Sequence, residues 1–134
     1  MADTQQAARP LSPHLQIYRR TLTMMLSIIH RITGVGLYAG TLFLAAWLIA
    51  LASGPAAYGV FMELAGSLIG RFIMFGYTWA LIHHMLGGLR HFVWDTGRGF
   101  NLTVVELMAW AHVLGSAGLT VFVWWLGYKM LGVM

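Results

Sequence analysis

The sequence predicts an all-α membrane protein built on three transmembrane helices, with a polar N-terminal arm. Three observations carry that prediction. Of the 134 residues, 59% are apolar and only 9% are charged, against about 25% charged in an ordinary soluble domain. Stretches 32–62, 72–89 and 107–128 contain no Asp, Glu, Lys or Arg, and each is long enough for a span of about 20 residues. The first stretch outlasts a bilayer, but Ser53-Gly54-Pro55 interrupts it, which leaves 58–62 for a connecting loop. The whole chain, 1–134, reads as one domain without internal repeats or low-complexity tracts.

Taken in order, the arm covers 1–22 and is polar and basic, with an apolar run behind it too long for the h-region of a cleavable signal. Helix one is predicted over about 24–52, helix two over about 66–93 and helix three over about 104–130. The basic residues orient them. Arg9, Arg19, Arg20 and Arg31 precede or open helix one, and Arg90 and Arg98 flank the second connection, whereas only Arg71 and Lys129 lie at the opposite ends. That asymmetry places the N-terminus and the second connection on the cytoplasmic face, or the matrix face in a mitochondrion. The net charge of +4 is then an orientation signal. Nucleic-acid binding is not expected, because the segments outside the membrane are too short for a basic, aromatic-studded face.

Helix one carries the first chemical cluster. Ser27, His30, Arg31 and Gly34 recur at intervals of three and four residues, so they share a face. His30 and Arg31 suit the propionates of a haem, and Ser27 and Arg31 offer donors to a carbonyl such as that of a quinone. Helix two carries the second cluster. His83 and His84 lie inside an uncharged run, and an ionisable residue within a span is a functional-site candidate. His84, Gly88, His91 and Asp95 fall within about 40° of one another on a helix, with Gly88 leaving a notch one turn from His84. An imidazole beside a glycine notch suggests a haem. His84 lies about 9 Å along the axis from Arg90, which brings both clusters to one depth.

Residue type alone leaves other readings open. Arg31 is equally an interfacial anchor, Ser27 a hydroxyl bonded to its own backbone, and His84 a bridge between helices. His83 points about 100° from His84 and reads as packing, as do the tryptophans and the nine methionines. His112, about 9 Å in from Glu106 on helix three, reaches a depth near His84, so a haem held by His84 and His112 within one chain is an alternative. With no cysteine, covalent haem attachment and iron–sulfur ligation by this chain are excluded.

Two motifs then resemble a known family. Arg9-Pro10-Leu11-Ser12-Pro13-His14-Leu15-Gln16-Ile17-Tyr18 and Ser27-Ile28-Ile29-His30-Arg31-Ile32-Thr33-Gly34 are similar to the N-terminal signature of the succinate dehydrogenase cytochrome b556 subunit family. His84-x-x-x-Gly88-Leu89-Arg90-His91, with Asp95 and Gly97, resembles its second signature. After Tyr18 the chain reads Arg19-Arg20-Thr21-Leu22, where family members carry proline.

The resemblance implies one of two membrane anchors in a heterodimeric helix bundle of succinate:quinone oxidoreductase. The chain alone is not expected to be catalytic. It would sit in a bacterial inner membrane with a cytoplasmic N-terminus, beside a second anchor, an iron–sulfur subunit, a flavoprotein and lipids. Haem b would be shared between the anchors, with His84 as axial iron ligand and the other histidine from the second anchor. His30, Arg31 and Gly88 would contact the haem; Ser27, Ile28 and Arg31 would bind ubiquinone; His91 and Asp95 would relay protons. FAD and iron–sulfur clusters would belong to the partners. A fumarate reductase anchor and a haem-free structural anchor are the alternatives.

Overall fold

A computed structural model describes residues 12–13 and 16–132; most of the predicted N-terminal arm lies outside them. The described chain folds into four helices, α1 (Leu22–Ala52), α2 (Pro55–Gly66), α3 (Leu68–Asp95) and α4 (Leu102–Met130). Thr21 caps α1, its hydroxyl accepting from the Met24 N–H at 3.4 Å. The helix start is therefore set by a side-chain acceptor for an otherwise unpaired backbone donor. No proline is needed there.

The segment predicted as a connecting loop at 58–62 is instead part of α2, a correction with a local cause. Gly54 turns the chain at φ 105°, a region open to glycine, and Pro55 then sits at the first helical position, where its missing N–H costs nothing. At the far end Ser67 makes a sharp corner. Its hydroxyl donates to the Leu64 carbonyl at 2.6 Å and accepts from the Gly70 N–H at 3.1 Å. The helices α2 and α3 meet there at 76°. Gly70 is required at this corner, because a Cβ would run into the Leu64 and Ala65 carbonyl oxygens.

By length and hydropathy α1 and α4 each suffice to cross a membrane, and α2 with α3 qualifies as a pair. In α3 three histidines, two arginines, the terminal Asp95 and the glycines dilute an otherwise apolar helix. It ends at Thr96 and Gly97, the latter at φ 75° with its N–H on the Trp94 carbonyl at 2.8 Å. Asn101 caps α4 by accepting from Thr103 N–H at 3.0 Å.

Packing runs opposite to that of a water-soluble bundle. Among the described residues the buried ones include Thr33, His83, Arg90, His112, Ser116 and Thr120, beside the apolar Leu26, Ala65, Ile82 and Ala109. Leu42, Ile32, Val35, Leu68, Phe72 and Leu114 face outward. Lipid provides no hydrophobic drive between helices, so small and polar side chains form the seams. On α4, Ala109, His112, Ser116 and Thr120 make one buried stripe at intervals of three and four residues. Ser116 and Thr120 donate to the Val113 and Ser116 carbonyls of their own helix. One turn further, Trp124 Nε1 donates to Thr78 Oγ1 of α3 at 3.2 Å. On α1, Gly40 admits the Tyr77 ring so closely that a Cβ would overlap it.

Candidate functional site

The site forms where the N-terminal third of α1 meets the C-terminal half of α3. The His84 imidazole of α3 lies face to face with His30 of α1, the centroids 3.9 Å apart and the planes within 8°. Its Nδ1 stands 3.1 Å from the His30 carbonyl oxygen and 3.3 Å from Thr33 Oγ1. Thr33 Oγ1 itself donates to that carbonyl at 2.9 Å. A carbonyl oxygen only accepts, so Nδ1 is the donor, and in the neutral ring Nε2 carries the lone pair. That nitrogen has no hydrogen-bond partner among the described residues and is not one of the enclosed orphan atoms.

Glycines make the close approach possible. A Cβ on Gly34 would stand 3.1 Å from His84 Cε1. On Gly87 it would stand 2.5 Å from His30 Nδ1 and 3.2 Å from His112 Cε1, so the notch filled by this chain's own side chains is at Gly87. Gly88 is different: a Cβ there meets nothing within 4 Å, and its face opens outward beside His84.

The remaining predicted residues ring this pair. His91, exposed, has its ring 5.7 Å from His30 and edge-on to Trp94 at 5.2 Å. Ser27, Ile28 and Arg31 are exposed on the first turns of α1, and Asp95 is exposed at the last residue of α3. None of these four makes a side-chain hydrogen bond or ring contact to His30 or His84 among the described residues. The structure thus joins His30, His84 and His91 and leaves Ser27, Ile28, Arg31 and Asp95 on the open rim.

His112 belongs elsewhere. Its Nε2 donates to the His83 carbonyl at 2.7 Å, and its ring rests on the His83 ring at 4.1 Å. Ser116 spends its hydroxyl proton on Val113, so at 3.2 Å it accepts from His83 Nδ1. These bonds commit both histidines to the α3–α4 seam, apart from the open nitrogen of His84.

Sequence reasoning missed Thr33, Gly34 as the seat of His84, and the role of Gly87. The signal for Thr33 was present, since it lies three residues from His30 on the same face. It also missed that Arg90, counted there only as an orienting charge, is 6% exposed.

Among the described residues no group of three or more His, Cys, Asp or Glu side chains is placed to hold a metal ion. A metal at His84 therefore needs ligands from outside the chain. A macrocycle provides them, and a neutral imidazole with its proton fixed and its lone pair open is the donor haem iron takes. The residues fit that group.

Fold and site together define a helical membrane protein with polar seams and a stacked histidine pair between α1 and α3. Residues 5–126 match the family described as the succinate dehydrogenase/fumarate reductase transmembrane subunit, and the chain belongs to that family. It is 40% identical to the succinate dehydrogenase cytochrome b556 subunit of Paracoccus denitrificans over 90% of this chain and 93% of that one. Identity to the same subunit of Rickettsia conorii is 38%, over 87% of this chain and 90% of that one. The mitochondrial cytochrome b560 subunit of Sus scrofa is 42% identical over 74% of this chain and 59% of its own length. The chain is accordingly a membrane subunit of an oxidoreductase complex.

Proposed function

We propose that this chain is a haem b-carrying anchor of a succinate:quinone oxidoreductase. It spans the bacterial inner membrane three times, with α2 and α3 counted as one bent span and the N-terminus in the cytoplasm. The supporting observation is the His84 imidazole, with Nδ1 tied to the His30 carbonyl and Nε2 open. Haem b, when bound, would supply the assembled complex with a one-electron redox centre.

The chain's own residues divide the remaining work. The His30 carbonyl and Thr33 hydroxyl hold the His84 ring in one tautomer and orientation. His30 stacks on that ring with Nδ1 turned inward, which leaves its Nε2 for an anionic propionate, and Arg31 adds charge at the rim. Gly88 keeps the surface beside His84 free of side chain. Any other histidine holding the haem would come from a second anchor, since His112 is engaged with His83 within α3–α4.

Quinone reduction takes up two electrons and two protons. Ser27 and Arg31, four residues apart on the exposed face of α1, donate hydrogen bonds to one ubiquinone carbonyl, and the arginine charge favours the growing negative charge on that oxygen. Ile28 provides an apolar contact beside them. Exposed His91 and Asp95, one turn apart, pass protons inward from water. Succinate oxidation is favoured over fumarate reduction because the similar proteins carry the name succinate dehydrogenase.

The test is His84→Leu in the assembled complex. Loss of the b-type reduced-minus-oxidised spectrum, with the α1–α3 bundle still inserted and succinate still reducing an artificial acceptor, is the expected result. An unchanged spectrum overturns the assignment, and a wild-type complex without a b-type spectrum returns the reading to a haem-free anchor.

A further inference from the structure

A long groove opens toward the end of the bundle where α2 meets α3. All four helices contribute to it, and its volume is about 1,090 Å³, the scale of a ligand site rather than of a packing defect. Two contacts fix its levels. Trp124 Nε1 donates to Thr78 Oγ1, and the Tyr77 ring lies against Gly40; both contacts lie near its inner end. Seven residues along from Thr78, Gly40 and Trp124, about 10.5 Å on each helix, come Arg71, Trp47 and Leu131, which form the mouth beside α2. The groove thus runs along the helix axes, the direction in which lipid chains lie.

Its walls are apolar, with Phe43, Leu44, Met74 and Val123 among them and Phe61 of α2 resting on Phe43 at 5.1 Å. Gly36, Gly66 and Gly127 also line it, and a Cβ on any of them would meet nothing within 4 Å. A glycine in a membrane seam ordinarily lets two backbones approach. These three leave a gap instead.

The mouth is charged. Arg71 is the one ionic residue among those lining the groove, and it is exposed, so its outer nitrogens can be reached. Its Nε donates to the Gly66 carbonyl at 2.7 Å, which holds the guanidinium at the corner and leaves the Nη donors without a partner among the described residues. Glu63 is exposed on α2 and takes no part in the lining. Tyr128, four residues beyond Trp124, lies about one turn below Arg71, and its hydroxyl makes no hydrogen bond among the described residues. A cation with spare donors therefore stands over an apolar channel, with a hydroxyl just beneath it. With no carboxylate in the lining, the ammonium of a zwitterionic head group finds no partner there.

We infer that this groove holds an anionic phospholipid. A phosphodiester oxygen accepts from the Nη donors of Arg71, the Tyr128 hydroxyl donates to a glycerol ester carbonyl, and an acyl chain runs inward past Phe43, Met74 and Val123. Phosphatidylglycerol has all three features. The inference rests on the bundle alone and does not depend on haem or quinone.

The experiment uses the intact complex, stripped of lipid in detergent and returned to vesicles of phosphatidylcholine containing about one-fifth phosphatidylglycerol, alone or with inorganic phosphate or ubiquinone added as competitor. Lipid retained through repurification is counted by native mass spectrometry. Wild type is expected to keep phosphatidylglycerol in preference to phosphatidylcholine, and Arg71→Gln to hold it about tenfold less tightly, the loss of one charge-assisted hydrogen bond. Gly127→Leu fills the groove from α4 and leaves Arg71 in place. It is expected to lose the lipid as well, which keeps the test decisive if Arg71→Gln assembles poorly. Equal retention in wild type and Gly127→Leu overturns the inference. So does displacement of the lipid by ubiquinone or by inorganic phosphate, or a photo-crosslinker at Met74 that captures a partner protein and no lipid.

Discussion

Two adjacent glycines of α3 illustrate how differently neighbouring residues are constrained. Gly87 faces His30 and His112 at distances that leave no room for a methyl group, whereas Gly88 faces open space. Gly87→Ala is therefore expected to destabilise the bundle by about 1–3 kcal/mol, the usual cost of overpacking, seen as faster thermal inactivation of the complex. Gly88→Ala should leave that rate unchanged while lowering haem content, since the added methyl meets only what lies outside the chain. Equal effects of the two on thermal inactivation would remove the distinction. Thr33→Val offers a finer probe: the His30 carbonyl remains to orient His84, so haem should be retained with a shifted midpoint potential measured by redox titration. Much of this was legible beforehand. Helical spacing and depth put His30 and His84 on a common level, and an ionisable residue in an apolar run marked His84. The stack itself, the inward turn of Gly87 and the burial of Arg90 were not legible, because they depend on how far α1 and α4 rotate about α3. A single-helix pattern leaves that angle free.

Among the elements, the corner between α2 and α3 is the least negotiable. Ser67 bonds both helices through one hydroxyl, and Gly70 lies against two backbone carbonyls that cannot move aside as a flexible side chain can. Gly70→Ala is expected to open the 76° bend and to weaken assembly more than Ser67→Ala, whose lost cap costs about 1 kcal/mol; distances between spin labels at Val60 and Phe75 would register the opening. The sequence signalled the break through Ser53-Gly54-Pro55 but gave no sign that the following segment is helical. Apolar periodicity in a short stretch beside a membrane does not separate loop from helix, and Pro55 acts equally as breaker and as first helical residue.

For the molecule as a whole, the distribution of basic residues becomes a topological statement. Among the described residues Arg19, Arg20, Arg31, Arg90 and Arg98 lie toward the end where α1 begins and α3 finishes, and Arg71 and Lys129 toward the other; reporter fusions check the consequence. Fusions at the N-terminus and at Arg98 are expected to report cytoplasm, and those at Ser53 and the C-terminus the periplasm. A cytoplasmic C-terminus would mean that α2 and α3 form a re-entrant hairpin rather than a span. The inverted packing, with His, Ser, Thr and Arg inside and aliphatic side chains outside, accounts for the limits of a sequence reading at this scale. Composition announces a membrane protein at once, but the contact face is marked by a polar, small-residue stripe such as that of α4 rather than by an apolar one.

The bond from His84 to the His30 carbonyl has a consequence for inheritance. Its acceptor is main chain, and every amino acid at position 30 presents the same oxygen. No change of side chain at position 30 removes that oxygen, so the hydrogen bond to His84 does not depend on the imidazole of His30. The lesion that does break it is a change of reading length. One residue inserted between His30 and Gly40 turns the start of α1 by about 100° against the part held by Tyr77, carrying the carbonyl off its histidine while every functional side chain is still encoded.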